Sequence, residues 1–263
     1  MNFIEKALRK SVGERRAGLV METGREKFET QVWEEPTEID AFDKHIVSLL
    51  EPTSVAAEQY RVVRTFILKA GKDDLKRVFL ISSAMHGEGK TLTALNLAIS
   101  IVRGLQETVL LIDADFRNPT LSRLLGMNKV DRGIIQYLTT NGELGDFILK
   151  TSISKLNILI PERIPENPSE LIGSEKMANL LKEVRCRYEN RYIIIDSPPL
   201  FPVSDSIILS ALVDGVILVA RAQSTPREQI NEAIEKIENK ENILGIVINS
   251  CKKMTANYGY QYK

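Results

Sequence analysis

The chain has 263 residues, 43% of them hydrophobic and 27% charged, a composition with room for one large α/β domain or two small ones. Its 35 Lys and Arg balance 35 Asp and Glu, so no global basic field directs it to nucleic acid. No apolar run approaches the ~20 residues of a membrane span and no secretory signal opens the chain, while Cys186 and Cys251 form neither a disulfide framework nor a metal-ligand spacing.

The opening stretch MNFIEKALRKSVGERR sets Phe3, Ile4, Ala7 and Leu8 on one helical face, with Lys6, Arg9, Lys10, Arg15 and Arg16 largely elsewhere. Two readings stand: a basic amphipathic helix that touches anionic lipid or a partner, and a plain surface helix. Residues 17–40 are charged and aperiodic and read as a linker. The expected division is an N-terminal segment over 1–50, a folded domain over 51–250 and a flexible tail over 251–263.

Short apolar runs then recur: RVFLIS (77–82), TVLLID (108–113), LNILI (156–160), RYIIID (191–196), GVILVA (215–220) and LGIVIN (244–249). Such runs suit strands buried on both faces. Helical patterns over 91–103, 169–186 and 226–239 lie between them, and Pro168 after Asn167, with Glu170 following, marks a helix start. Alternation of this kind predicts an α/β fold with a mainly parallel central sheet and helices on both faces.

The first strong strand runs into AMHGEGKT (84–91) and then a helix. This is a phosphate-binding loop of the P-loop NTPase fold, with Ala84 where the pattern begins with Gly. Gly87 and Gly89 let backbone N–H groups approach phosphate oxygens. Lys90 reaches the β/γ-phosphates, Thr91 offers a hydroxyl to Mg²⁺, and the helix N-terminus favours the negative charge. His86, Glu88 and Leu92 complete the expected nucleotide-binding stretch; His86 reads equally as a polar loop filler.

Two later strands end in acids: Asp113 and Asp115 in LLIDADFRNP, and Asp196 in YIIIDSPP. Ligands of open parallel sheets bind outside the carboxyl ends of the strands. The expectation is a cluster of Asp113, Asp115 and Asp196 that serves Mg²⁺ and proton transfer beside Lys90. A fold-stabilising pair of Asp115 with Arg117 is the alternative for that residue.

Together GEGKT, DADFR (113–117) and DSPP (196–199) resemble the three motifs of the bacterial tyrosine autokinases of exopolysaccharide synthesis and export, the BY-kinases. EQYRVVR, NPSEL and the tyrosine-rich terminus extend the likeness over roughly residues 50–263. FIEKALRK and HIVSLLEPTSVAAEQY resemble the stand-alone autokinases of exosortase-type clusters. The resemblance implies ATP-dependent tyrosine phosphorylation with Mg²⁺. Asp113 would accept the phenolic proton, and Asp115 and Asp196 would hold the metal. Glu58, Arg61 and Arg64 would build a ring of subunits. Asn249 would contact adenine, its plainer reading being a strand-end turn residue.

The resemblance further implies a membrane-spanning chain-length regulator, a tyrosine phosphatase, and a cytoplasmic protein recruited to the inner face of the membrane. Three of the seven tyrosines, Tyr258, Tyr260 and Tyr262, crowd the terminus NYGYQYK and are the expected autophosphorylation sites. Partition and septum-placement ATPases are the rival on the same fold. They carry a second lysine one residue after the first loop position, where this chain has Met85. A nucleotide-dependent scaffold without turnover is the other rival.

Overall fold

A computed structural model describes residues 31–32, 42–73, 76–127, 129–187 and 190–251. The strands are β1 (Gln31–Val32), β2 (Val78–Ser83), β3 (Thr108–Asp113), β4 (Leu149–Lys150), β5 (Leu156–Leu159), β6 (Arg191–Asp196), β7 (Gly215–Arg221) and β8 (Ile243–Asn249). The helices are α1 (Val47–Leu50), α2 (Val55–Asp73), α3 (Lys90–Val102), α4 (Leu121–Leu124), α5 (Ile134–Thr139), α6 (Pro168–Ile172), α7 (Glu175–Arg187), α8 (Asp205–Ser210) and α9 (Arg227–Lys236).

All eight strands join one sheet in the order β1-β4-β5-β3-β6-β2-β7-β8. Among the described residues, only β4 and β5 pair antiparallel. Every residue of β2 is buried, as befits a central strand with a helical layer on each face. Alternate side chains serve the two layers. Val78 and Leu80 pack with α5, α7 and α8 residues such as Ile135, Leu180 and Leu209. Phe79 and Ile81 pack with α2 and α3 through Ile67, Leu95 and Ile99. The apolar runs of β2, β3, β6 and β7 are uninterrupted because both faces of the sheet are covered there, whereas edge strand β8 leaves Leu244, Ile246 and Ile248 exposed on one face.

Three differences from the sequence reading have clear causes. The segment expected as one helix over 169–186 is two, because the Ser174 hydroxyl accepts the Met177 N–H at 3.1 Å and starts a new helix there. The folded body begins N-terminal of Glu51: Ile46 is fully buried, and Asn96 of α3 accepts the Ser48 N–H at 2.8 Å. Strands β1 and β4 have two residues each, too few for any periodicity. The amphipathic stretch at 1–16 and the tail tyrosines Tyr258, Tyr260 and Tyr262 lie outside the described residues. Among the described residues, no helix is long and apolar enough to cross a membrane.

Candidate nucleotide and phosphotransfer site

The loop between β2 and α3 turns on two glycines with left-handed backbones, Gly87 (φ 79°) and Gly89 (φ 90°). A Cβ at Gly89 would also stand 1.9 Å from the Asn249 amide nitrogen, so only glycine fits there.

The loop is clamped from three directions. Glu88, 4% exposed, accepts the Met85 N–H at 2.8 Å with Oε2 and the Thr225 hydroxyl with Oε1. Asn249, at the end of β8, donates Nδ2 to the Glu88 carbonyl at 2.9 Å. Ser83 donates its hydroxyl to the Met85 carbonyl at 2.7 Å. Asn249 thus acts as a clamp on the phosphate loop in this geometry, with its amide nitrogen already engaged. His86 is exposed on the loop, and Leu92 packs partly against the core.

Glu88 and Thr225 were joined by no local signal, being 137 positions apart. Glu88→Gln keeps one acceptor oxygen where two are used, so one donor loses its partner at a cost of about 1–3 kcal/mol. Nucleotide affinity of Glu88→Gln and of Thr225→Val is expected to fall about ten-fold in a fluorescent-nucleotide titration. Wild-type affinity in both variants would show that the loop stands without this clamp.

Parallel register sets the acids side by side. Asp113 pairs with Asp196 across β3 and β6, and Asp196 pairs with Ile81 across β6 and β2. The end of β2 feeds the loop, so Lys90 enters the same space. Lys90 Nζ donates to Asp115 Oδ2 at 2.8 Å, with the two side chains 12% and 1% exposed. Burial lowers the Lys90 pKa, but the charges of Asp196, Asp115 and Asp113 outweigh it and hold the ammonium above its ordinary value.

Asp113 is fully buried and holds the turn that follows its own strand. Oδ1 accepts the Asp115 N–H at 3.1 Å, and Oδ2 accepts those of Thr120 and Leu121 at 3.2 and 3.3 Å. Burial first, then the neighbouring Asp196, drives its pKa well above the usual carboxylate range. Asp115 is also engaged, its Oδ1 accepting the Asn118 N–H at 3.1 Å. The Asp115–Arg117 pair does not form. Arg117 instead binds Asp205 of α8 through Nε at 2.9 Å and the Ser169 hydroxyl at 2.8 Å, and Ser169 in turn donates to Asp205 at 2.5 Å. This lock between the end of β3, α6 and α8 joins residues too far apart in sequence to be paired by reading.

Asp196 differs. It is fully buried, and neither carboxylate oxygen has a hydrogen-bond partner. Burial raises its pKa to about 6 against the pull of the Lys90 charge and the nearby Thr91 hydroxyl. Among the described residues, no three His, Cys, Asp or Glu side chains are gathered for a metal ion. Asp113 accepts three N–H bonds within the turn, and Asp115 accepts from Lys90 and from the Asn118 N–H. An orphaned carboxylate beside a loop threonine nevertheless fits a hard divalent cation, which takes few protein ligands and keeps its waters. Asp196 and Thr91 would hold it.

Strand, glycine loop, helix and acids at the strand ends define a P-loop nucleotide-binding domain, a fold that works with nucleotide and a divalent metal. The AAA domain family (AAA_31) matches residues 76–248. Tyrosine-protein kinase CpsD of Streptococcus agalactiae is 32% identical over 213 residues, 81% of this chain and 91% of that protein. Tyrosine-protein kinase YwqD of Bacillus subtilis is 34% identical over 220 residues, 83% of this chain and 91% of that protein. The kinase domain of the Escherichia coli tyrosine kinase ETK superposes with a TM-score of 0.73 at 27% identity, covering 83% of this chain and 85% of that domain. A septum site-determining protein of Pyrococcus horikoshii shares the fold alone, at 23% identity and a TM-score of 0.53. The chain belongs to the bacterial tyrosine-protein kinases.

Proposed function

We propose that this kinase transfers the γ-phosphoryl group of ATP to Tyr258, Tyr260 and Tyr262 of its own tail, between subunits of a ring, and so regulates exopolysaccharide polymerisation or export. The observation that carries the catalytic part is Asp196, buried and unpartnered beside Thr91 and Lys90. A kinase site needs a place for cationic charge next to the phosphate loop, and this carboxylate provides it.

In this reading Lys90 and Asp115 hold each other until phosphate draws the ammonium away, which frees Asp115 Oδ2 to orient water. Bound Mg²⁺ supplies positive charge that offsets the charge spread over the transferring phosphoryl oxygens. Asp113 takes the phenolic proton: its raised pKa favours proton binding, and Oδ1 accepts only one N–H. The turn it fixes places Asp115.

Residues 51–250 form the kinase domain, with the packed stretch from Phe42 as its N-terminal brace, and residues 251–263 the substrate tail. Self-association through α2 falls to Glu58 and Arg61, which pair with each other at 57% and 39% side-chain exposure. Arg64 turns inward and donates to the Ser100 carbonyl of α3 at 2.9 Å. A membrane-spanning chain-length regulator recruits the chain to the inner face of the membrane, and a phosphatase resets it.

The test incubates the purified full chain with ATP and Mg²⁺ and maps phosphotyrosine by mass spectrometry. Phosphate on the three tail tyrosines, absent from a variant with Phe at 258, 260 and 262, is the expected result. Equal incorporation in that variant would move the acceptor elsewhere.

A further inference from the structure

Away from the nucleotide cleft, α1, α2 and α3 enclose a cavity of about 10 Å³, lined among others by Ser48, Arg61, Arg64, Ser100 and Arg103. That is the space of roughly one water-sized atom. Its walls are unusual for a buried place. Ser48 and Ser100 are 4% and 3% exposed, yet neither hydroxyl has a hydrogen-bond partner, and the buried Arg64 Nε also lacks one. Buried polar groups are ordinarily satisfied, and three orphans on one cavity point to something that belongs there.

The charges give its sign. Arg64 is anchored by Nη1 to the Ser100 carbonyl at 2.9 Å, and Arg103 by Nη2 to the Leu49 carbonyl at 3.1 Å. Arg61 donates Nη2 to the Pro52 carbonyl at 2.6 Å and pairs with Glu58. Glu58 therefore balances Arg61. Among the described residues no carboxylate pairs with Arg64 or Arg103, and none lines the cavity. Guanidinium groups only donate, and both serine hydroxyls are free to turn their hydrogens inward. A water would satisfy the donors and leave the charge uncompensated.

We propose that this cavity is the floor of a binding site for a phosphate-class oxyanion. One oxygen sits within, against Ser48, Ser100 and Arg64 Nε, and the rest of the anion lies at the mouth against Arg61 and Arg103. The volume admits a single oxygen, and the fork of a guanidinium matches the edge of an oxyanion. Free inorganic phosphate and the phosphomonoester of a modified side chain share this chemistry. Because α3 starts at Lys90 and carries Ser100, a bound anion would tie α1 and α2 to the helix that bears the phosphate loop.

Isothermal titration of the full chain with sodium phosphate tests this, with ADP saturating the nucleotide loop and chloride holding ionic strength constant. Saturable one-to-one binding is expected. It should persist in Lys90→Met and weaken at least ten-fold in Arg103→Gln and in the double variant Ser48→Ala/Ser100→Ala. Circular dichroism checks the fold, and Arg103→Gln decides alone if the double variant unfolds. Competition by O-phospho-L-tyrosine identifies a modified side chain as the source, and its failure to compete identifies free phosphate. Binding lost in Lys90→Met, equal affinity in the cavity variants, or no saturable binding would overturn the site and leave the cavity to water only.

Discussion

Lys90→Met will reduce phosphotransfer by about 10²–10³-fold or more, the scale on which loss of one preorganised charge or donor acts on a transition state. The same variant will melt earlier than wild type in the absence of nucleotide. Lys90 is the partner of Asp115, and that carboxylate is 1% exposed. Removing one member of a buried pair strands the other charge, typically at 3–5 kcal/mol. Activity and stability separate in the double variant Lys90→Met/Asp115→Asn. Its amide has no charge to strand, so the melting temperature returns towards wild type while phosphotransfer stays as low as in Lys90→Met. Far-UV circular dichroism, thermal melts and a radiolabelled ATP assay read the three quantities. More than a tenth of wild-type turnover in Lys90→Met would remove the lysine from the chemistry.

The sequence exposed what is local and repetitive. Strands announce themselves as apolar runs, so the buried β2, β3, β6 and β7 and the half-exposed edge strand β8 lie within a residue of their expected limits. The loop was equally plain, because Gly87, Gly89, Lys90 and Thr91 follow one another within one short stretch of chain. What stayed hidden depends on register and on distant partners. Asp113, Asp115 and Asp196 look alike as acids at strand ends, but only the register of β3 on β6 and the turn to Leu121 decide which are engaged. Glu88 reads as one of the nucleotide-binding loop residues, and its bond to Thr225 from beyond β7 has no local signal. A pair of Arg117 with its neighbour Asp115 is the alternative reading, but the geometry at the end of β3 turns Arg117 to Asp205 of α8. Short helices such as α4 and α8 escape because four to six residues hold too few turns for a periodic pattern.

Asp196→Asn will flatten the acid branch of the stability curve and uncouple nucleotide binding from Mg²⁺. In the metal-free fold the Asp196 pKa stands at about 6 against an ordinary 3.8, chiefly through burial. Between these values the unfolded chain has released its proton while the folded chain keeps it. The unfolded state binds fewer protons there, so stability falls as pH rises from about 4 to about 6 and stays reduced above. The difference is on the order of 3 kcal/mol. An asparagine does not titrate, so its contribution to that slope vanishes. Relief of repulsion on Asp113 lowers that neighbour's pKa as well and takes more of the slope away. Function moves the opposite way. The charge that burial penalises is the charge a divalent cation rewards, so wild-type nucleotide affinity should rise markedly when MgCl₂ is added at pH 8. The rise should shrink towards one-fold in Asp196→Asn. Thermal melts at pH 4, 6 and 8, with nucleotide titrations with and without MgCl₂, measure both effects. An unchanged pH slope together with a full Mg²⁺ response would show that Asp196 is neither the strained carboxylate nor the cation's anchor.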